Sequence, residues 1–354
     1  MVVFNHSKMI NTRQHRSLRL LRFSLTLILA GLLLVACDPG TSTIETMPVT
    51  TPTANLIPPS ETVAQPGITI QTSTTEFPTP VSPTSTSPPE PTAQESFRFA
   101  IIGDYGEGSD AERDVADLVK SWHPDYIITV GDNNYPDGAY ETIDQNIGQF
   151  YHEYIYPYLG SFGDGADSNR FFPTLGNHDW TTNHAQPYLD YFTLPGNERY
   201  YDFVWGPAHF FAINSDSREP DGVSRSSLQA QWLQSGLAAS ASPWKLVYFH
   251  APPYSSGLHG SVDWMRWPFQ KWGADAVFSG HDHVYERLLV NGIPYFINGL
   301  GGGPKYYFVN VLETSQVRFN DDWGAMLVTY DSQQITFQFI TRRGEIIDDF
   351  QIIR

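Results

Sequence analysis

Five apolar runs of this 354-residue chain end in side chains that can bind a metal ion. These side chains are Asp104, Asp132, Asn177 with His178 and Asp179, His250, and His281 with Asp282 and His283. Carboxylate, amide and imidazole donors without a thiolate suit Fe, Mn or Zn rather than an iron–sulfur cluster. They are too many for one tetrahedral zinc ion. A carboxylate that bridges two ions about 3.5–4 Å apart is the usual arrangement for such a set.

Taken one at a time, these motifs have ordinary structural explanations. A Gly-Asp pair after a strand is usually a turn, and a single histidine there is more often a hydrogen-bonded structural residue. Their ordered occurrence favours a site, because the carboxyl ends of strands in open α/β sheets line the ligand crevice. His281 and His283 would point to the same side of an extended segment, whereas a tight turn would direct each one to its own metal.

The elements that must position these residues are short strands and two helices. Strands are predicted at residues 97–102, 126–130, 171–175, 209–213, 246–249 and 276–278. Ser109 and Glu112 predict a capping box at the start of an amphipathic helix, so the first two strands should be joined by a parallel crossover. A second helix is predicted over residues 227–239, and three antiparallel strands over residues 325–353.

Residues 1–37 have the layout of a signal peptide. Five basic residues and no acidic one precede an apolar run at residues 23–36, which is shorter than the about 20 residues that span a bilayer. The only cysteine, Cys37, ends the sequence Leu34-Val35-Ala36-Cys37, which resembles the bacterial lipobox. That resemblance implies a diacylated cysteine and attachment to a membrane through a lipid anchor, and the alternative is an incidental buried thiol.

Residues 38–95 are dominated by Thr, Pro and Ser, which predicts a disordered linker. Residues 96–354 are of a length that suits one catalytic domain. The net charge is −17 for the whole chain and more negative still without the basic residues of the leader. Because nucleic-acid-binding proteins normally carry the opposite charge, no nucleic acid is expected as a partner.

The motif series resembles the five-block signature of purple acid phosphatases. Its blocks are Gly103-Asp104-Tyr105-Gly106, Gly131-Asp132-Asn133-Asn134-Tyr135, Gly176-Asn177-His178-Asp179, Val247-Tyr248-Phe249-His250 and Gly280-His281-Asp282-His283. Other metallophosphoesterases usually have histidine where Gly106 stands and lack a tyrosine ligand such as Tyr135. The resemblance implies that a Tyr135 phenolate fills the missing place, and it implies an α/β fold: a four-layer αββα sandwich with mixed sheets.

The resemblance also implies the roles of the site residues. A ferric ion, Fe(III), would be bound by Asp104, Asp132, Tyr135 and His283. A second divalent metal, Fe, Zn or Mn, would be bound by Asp132, Asn177, His250 and His281, with Asp132 as the bridge. His178 and His259 resemble outer-sphere histidines that protonate the leaving oxygen or stabilise transition-state charge. For His259, the alternative is a solvated loop residue.

The function implied is an extracytoplasmic acid phosphatase, a monomer that hydrolyses phosphomonoesters by attack of a metal-bound hydroxide. Its partners would be small-molecule phosphate esters or phosphorylated macromolecules. A phosphodiesterase or nucleotidase on the same scaffold is the alternative enzyme. A surface phosphate-binding protein without catalysis is the alternative of another class.

Overall fold

The computed structural model describes residues 95–354, which contain two mixed β-sheets and the helices that cover them. The predicted signal peptide, Cys37 and all but the last residue of the predicted linker lie outside the described residues. No helix between residues 95 and 354 is long and apolar enough to cross a membrane.

Thirteen strands are found within residues 95–354. They are β1 (Phe97–Ile102), β2 (Tyr126–Thr129), β3 (Phe171–Pro173), β4 (Tyr201–Trp205), β5 (Ala208–Ala212), β6 (Trp244–Tyr248), β7 (Ala276–Ser279), β8 (Tyr285–Val290), β9 (Ile293–Asn298), β10 (Ser315–Phe319), β11 (Gly324–Tyr330), β12 (Gln334–Thr341) and β13 (Ile346–Ile353). The α-helices are α1 (Asp110–Ser121), α2 (Tyr140–Ile143), α3 (Gln149–Tyr151), α4 (Gln186–Tyr191), α5 (Leu228–Ala239) and α6 (Phe269–Trp272). A π-helical turn spans Asp144–Gly148, and short 3₁₀ turns span His152–Tyr154, Asn183–Ala185 and Asp263–Met265.

The first sheet has the strand order β13-β12-β11-β1-β2-β3. Strands β1, β2 and β3 are parallel, which confirms the predicted crossover through α1. Strands β11, β12 and β13 pair antiparallel, as predicted for residues 325–353. All residues of β2 and β3 are buried, as expected for parallel strands covered on both faces.

The second sheet has the order β10-β8-β9-β7-β6-β5-β4. Its central strands β5, β6, β7 and β9 are parallel, while β4, β8 and β10 run antiparallel to their neighbours. The prediction missed β4, β8, β9 and β10. A local signal for β8 and β9 was present, because Asn291 and Gly292 form their two-residue hairpin loop with φ of 52° and 88°.

Helices pack on the outer face of each sheet, as the predicted four-layer arrangement requires. Val115 and Val119 of α1 lie in one hydrophobic cluster with β1 and β2, and Leu233 and Leu237 of α5 lie in another with β5 and β6.

The Ser109 hydroxyl caps α1 by accepting from the Glu112 N–H at 3.1 Å. The predicted capping box is only half formed, since the Glu112 carboxylate accepts from the backbone N–H groups of residues 107 and 108 instead.

Candidate metal centre

The five predicted motifs lie in the loops that follow β1, β2, β3, β6 and β7, at the carboxyl ends of parallel strands. Three of the motif residues have left-handed backbone: φ is 54° at Asp104, 51° at Asp132 and 71° at His281. Such values cost about 1–3 kcal/mol at a residue with a side chain and concentrate at functional sites. The left-handed turn at His281 directs its ring toward His250 while His283 faces Tyr135, and the binding of each histidine to its own metal stays a prediction.

Two glycines let these loops approach closely. A Cβ atom on Gly176 would lie 2.1 Å from an Asp132 carboxylate oxygen, and one on Gly280 would lie 2.4 Å from an Asp104 carboxylate oxygen. Real Cβ contacts are essentially never that short. A residue with a side chain at either place would therefore displace the carboxylate that packs against the glycine. Gly176 and Gly280 therefore serve the assembly of the site.

Three side chains surround the hydroxyl of Tyr135, and we call Asp104, Asp132, Tyr135 and His283 the tyrosine cluster. The hydroxyl lies 3.1 Å from Asp132 Oδ2, 3.4 Å from Asp104 Oδ1 and 3.1 Å from His283 Nε2. The other ring nitrogen of His283 faces the carbonyl of Pro304, so Nε2 is directed at the cluster. All four residues are buried.

A second group meets at the ring of His250, and we call Asp132, Asn177, His250 and His281 the amide cluster. His250 Nε2 lies 3.0 Å from Asn177 Oδ1, 3.2 Å from Asp132 Oδ2 and 3.2 Å from His281 Nδ1. His250 Nδ1 is 2.9 Å from the carbonyl oxygen of Val130. An Nδ1–H donated to a carbonyl leaves Nε2 as the electron-pair donor, the arrangement typical of metal-binding histidines.

The two clusters share Asp132, and their donors fit two metal ions. Donor atoms about 2.1 Å from one ion, in tetrahedral or octahedral geometry, lie about 3.0–3.4 Å from each other. The contacts that Tyr135 and His250 make in their clusters span 3.0–3.4 Å. Asp132, His250 and His281 also offer ligand atoms that all lie within 4.8 Å of one another. The donors thus have the type, number and spacing that a two-ion centre needs.

The buried charges of the clusters depend on each other. Burial alone would raise the pKa of Asp132, but the attraction of the neighbouring His250 outweighs it and holds that pKa below its usual range. Burial alone would lower the pKa of His250, yet the carboxylates of Asp132 and Asp104 raise it to about 10. Burial and the same two carboxylates raise the pKa of the Tyr135 phenol well above 10. Metal binding must therefore displace protons from His250 and Tyr135.

The two predicted outer-sphere histidines lie beside the clusters. The His178 N–H donates to Asp132 Oδ1 at 2.9 Å, and its ring Nε2 is 4.0 Å from Asp132 Oδ2, with 37% of the side chain exposed. The ring of His259 is also exposed and stacks on the ring of His281, with centroids 4.4 Å apart. Both imidazoles are thus accessible to a substrate at the clusters, and their catalytic role stays a prediction.

Two buried carboxylates that had no predicted role hold the loop that bears His259. Asp282 accepts from the N–H groups of His259 and Gly260 at 2.7 and 3.2 Å, and from the Ser255 hydroxyl. Glu286 accepts from the Ser256 N–H at 2.8 Å. The sequence placed Asp282 in the fifth motif, but it could not predict the contacts of this carboxylate, because they are made with a loop more than 20 residues away in the chain.

Asp179 is the third buried carboxylate without a predicted role, although it belongs to the third motif. It accepts from the Asn133 N–H at 3.1 Å, from the Asn133 side-chain amide at 2.9 Å and from the Gly176 N–H at 2.8 Å. These bonds join the loop after β2 to the loop after β3. Asn133 follows Asp132 in the sequence, and Gly176 precedes Asn177. By bonding to the backbone of both neighbours, Asp179 fixes the distance between Asp132 and Asn177.

We expect Asp179→Asn to weaken the site without removing a metal donor. The new amide would turn one N–H donor toward the donors of Asn133 or Gly176, which lowers the free energy of unfolding by about 2 kcal/mol. Loss of such outer contacts typically costs about 10–100-fold in metal affinity. Denaturant unfolding and competitive chelation measure the two effects. Asp349→Asn, an exposed carboxylate on β13, is the control, and equal values for both variants would contradict the clamp.

Comparison with known proteins shows the family of this chain. The family model for calcineurin-like phosphoesterases matches residues 97–285. Tartrate-resistant acid phosphatase type 5 of Mus musculus is 26% identical over 248 residues, covering 58% of this chain and 72% of its own. Purple acid phosphatase 15 of Arabidopsis thaliana is 27% identical over 221 residues, covering 54% of this chain and 40% of its own.

Among solved structures, the fold is similar to that of purple acid phosphatase PPD1 from yellow lupin (Lupinus luteus) seeds. The TM-score is 0.59 at 19% identity, and the match covers 74% of this chain and 54% of the lupin chain. At that identity the likeness concerns the fold alone. It confirms the predicted arrangement of two mixed sheets with helices.

Proposed function

Because the chain belongs to the calcineurin-like phosphoesterase family, we propose that it is a binuclear acid phosphatase of the purple acid phosphatase type. The coarser function, a hydrolase that acts on phosphoester bonds, follows from the family and from the acid phosphatases that it resembles. The observation that supports the finer proposal is the position of Tyr135. Its hydroxyl lies among two carboxylates and an imidazole, where the phenolate donor of a purple centre is needed.

The proposal assigns one ion to each cluster. The tyrosine cluster would hold Fe(III), because a hard trivalent cation suits two carboxylates and a phenolate. The amide cluster would hold the divalent ion, Fe, Zn or Mn, through imidazole and amide donors. When bound, the two ions supply positive charge to the phosphate oxygens and acidify water. Asp132 links the two clusters, since one of its carboxylate oxygens contacts both Tyr135 and His250.

Residues of the chain provide the proton transfer. The partly exposed His178 lies beside Asp132, and the exposed His259 lies beside His281. Histidine is a common general acid, so either imidazole could donate a proton to the departing alcohol oxygen. Asp282 keeps the His259 backbone in place, so that this imidazole stays over the amide cluster.

The domain organisation is part of the proposal. Residues 96–354 would be the catalytic domain, since they include both sheets and both clusters. Residues 1–37 would be a signal peptide with its lipobox at Cys37, and residues 38–95 a linker. The protein would then act outside the cytoplasm, attached to a membrane through a lipid anchor and able to reach phosphate esters in the surrounding medium.

Parallel assays of the full-length, metal-loaded protein test this function. We expect p-nitrophenyl phosphate to be hydrolysed with a kcat/KM at least about tenfold above that of its bis ester, and at mildly acid as well as neutral pH. Faster hydrolysis of the bis ester would make the protein a phosphodiesterase. No turnover of any phosphate ester, with two metals bound per chain, would support the phosphate-binding protein without catalysis.

A further inference from the structure

A cavity of about 190 Å³ opens beside the amide cluster. Its lining includes the cluster residues Asn177, His250 and His281. Six lining residues belong to no predicted motif: the apolar Ala251, Val262 and Trp264, and the polar Ser215, Asp216 and Ser217. A phosphate held at the clusters would have its ester oxygen close to this space. The cavity is therefore placed to receive the alcohol part of a substrate.

Trp264 is held in place although half of it is exposed. Its indole N–H donates to the carbonyl of Ser215 at 3.2 Å, and its own carbonyl accepts from the indole of Trp267 at 2.9 Å. The Ser215 hydroxyl in turn accepts from the Ala251 N–H at 2.8 Å, next to His250. An exposed tryptophan normally loses side-chain conformational entropy when it binds a ligand. Because these hydrogen bonds already fix Trp264, ligand binding would not incur that entropy cost.

The charges around the cavity do not favour an anionic alcohol part. None of the described residues that line it is Lys or Arg, and its one carboxylate belongs to Asp216. The Arg218 guanidinium lies nearby, but it donates twice to Asp216 at 2.7 Å and once to the Asn177 carbonyl at 2.9 Å. Because the charges of Arg218 and Asp216 offset each other in this ion pair, the lining gives a second negative group on the substrate no net positive charge.

We propose that this cavity binds the alcohol part of the substrate and that Trp264 makes the protein select phosphomonoesters carrying a neutral aromatic ring. This inference rests on the proposed phosphatase function and narrows its substrate class. A dry engineered cavity of about 150 Å³ accommodates benzene, so one ring fits the space beside Trp264. Aromatic rings gain from offset stacking or edge contacts with an indole in addition to the apolar area that they bury.

Matched substrates separate ring recognition from leaving-group chemistry. The esters 2-phenylethyl phosphate and n-butyl phosphate both release a primary alcohol, so differences in kcat/KM report binding of the ring. With the full-length, metal-loaded protein we expect a preference of about tenfold for the phenylethyl ester, as stacking and burial predict. A carboxylate on the ring should abolish the preference, because it would lose hydration in a cavity whose described lining offers it no Lys or Arg.

Variants of Trp264 decide whether this residue is responsible. Trp264→Ala should reduce the ratio of the two kcat/KM values to about one, whereas Trp264→Phe should retain most of it. Leu159→Ala is the control, because Leu159 is an apolar side chain that is 89% exposed and lies before β3, outside the cavity. The control should keep the wild-type ratio. An unchanged ratio in Trp264→Ala, or a wild type that does not discriminate, would overturn the inference.

Equilibrium binding separates this inference from the proposed function. Calorimetry with 2-phenylethylphosphonate and n-butylphosphonate requires no turnover, and the same tenfold difference in Kd should disappear in Trp264→Ala. If the phosphonates are discriminated through Trp264 but no ester is hydrolysed, the ring pocket stands and the phosphatase function fails. If esters are hydrolysed but neither ring preference depends on Trp264, the phosphatase stands and the ring pocket fails.

Discussion

Replacing Asp132 by Asn should remove both metal ions together and lower phosphate-ester turnover by about a thousandfold or more, since metal ions supply several kcal/mol of transition-state stabilisation. One oxygen of this buried carboxylate contacts Tyr135 and His250, the centres of the two clusters. Asparagine has the same shape, tolerates the left-handed φ of 51°, and can still accept from the His178 N–H. The substitution therefore keeps the shape and this acceptor, and it replaces the oxygen shared by the two clusters with an amide NH2 group that cannot bind a cation.

Metal content by elemental analysis, measured beside turnover and thermal unfolding, checks this result. Asp348→Asn is a matched control, because Asp348 is also a buried carboxylate but pairs with Arg287 at 2.7 Å, away from the clusters. The control should lose stability and keep its metals. Full occupancy in Asp132→Asn would contradict the bridge, and loss of one ion alone would mean that Asp132 serves a single cluster.

Tyr135→Phe should abolish a visible charge-transfer band that the iron-loaded wild type is expected to show. In the absence of a cation, burial and the carboxylates of Asp132 and Asp104 raise the pKa of the Tyr135 phenol, so it stays neutral at any ordinary pH. Only a strongly polarising ion such as Fe(III) can convert it to a phenolate donor in this position. A purple or pink colour thus reports the ferric ion and the tyrosine ligand at the same time.

An absorption spectrum with iron analysis of wild type and variants provides the measurement. Tyr105→Phe is a matched control, because Tyr105 is a fully buried tyrosine of the first motif whose hydroxyl donates to Asn133 Oδ1 at 3.0 Å. We expect its band to be unchanged. A colourless iron-loaded wild type would contradict the assignment of Tyr135 as an iron ligand, as would an unaltered band in Tyr135→Phe.

The sequence predicted the fold correctly where the residues that determine an element lie close together in the chain. The Ser109 cap and the apolar period of α1 lie within one short segment, as do the alternating residues of β11–β13, and both were predicted correctly. Strand β4 was missed because it is short and lies on the edge of its sheet, where Val204 is exposed. Its assignment depends on pairing with β5 more than on its own residues.

For the candidate site, the sequence by itself determined which residues could donate to a metal, because the chemistry of Asp104, Tyr135 or His250 resides in the side chain. The family resemblance implied two groups of donors, but the contacts that hold each group together arise only in the tertiary structure. The left-handed turn at His281 sends that ring to His250 while His283 turns to Tyr135. The supporting contacts of Asp179 and Asp282, and the cavity edged by Trp264, also arise between segments far apart in the chain. Such contacts form when two sheets pack, and no local pattern of residues encodes them.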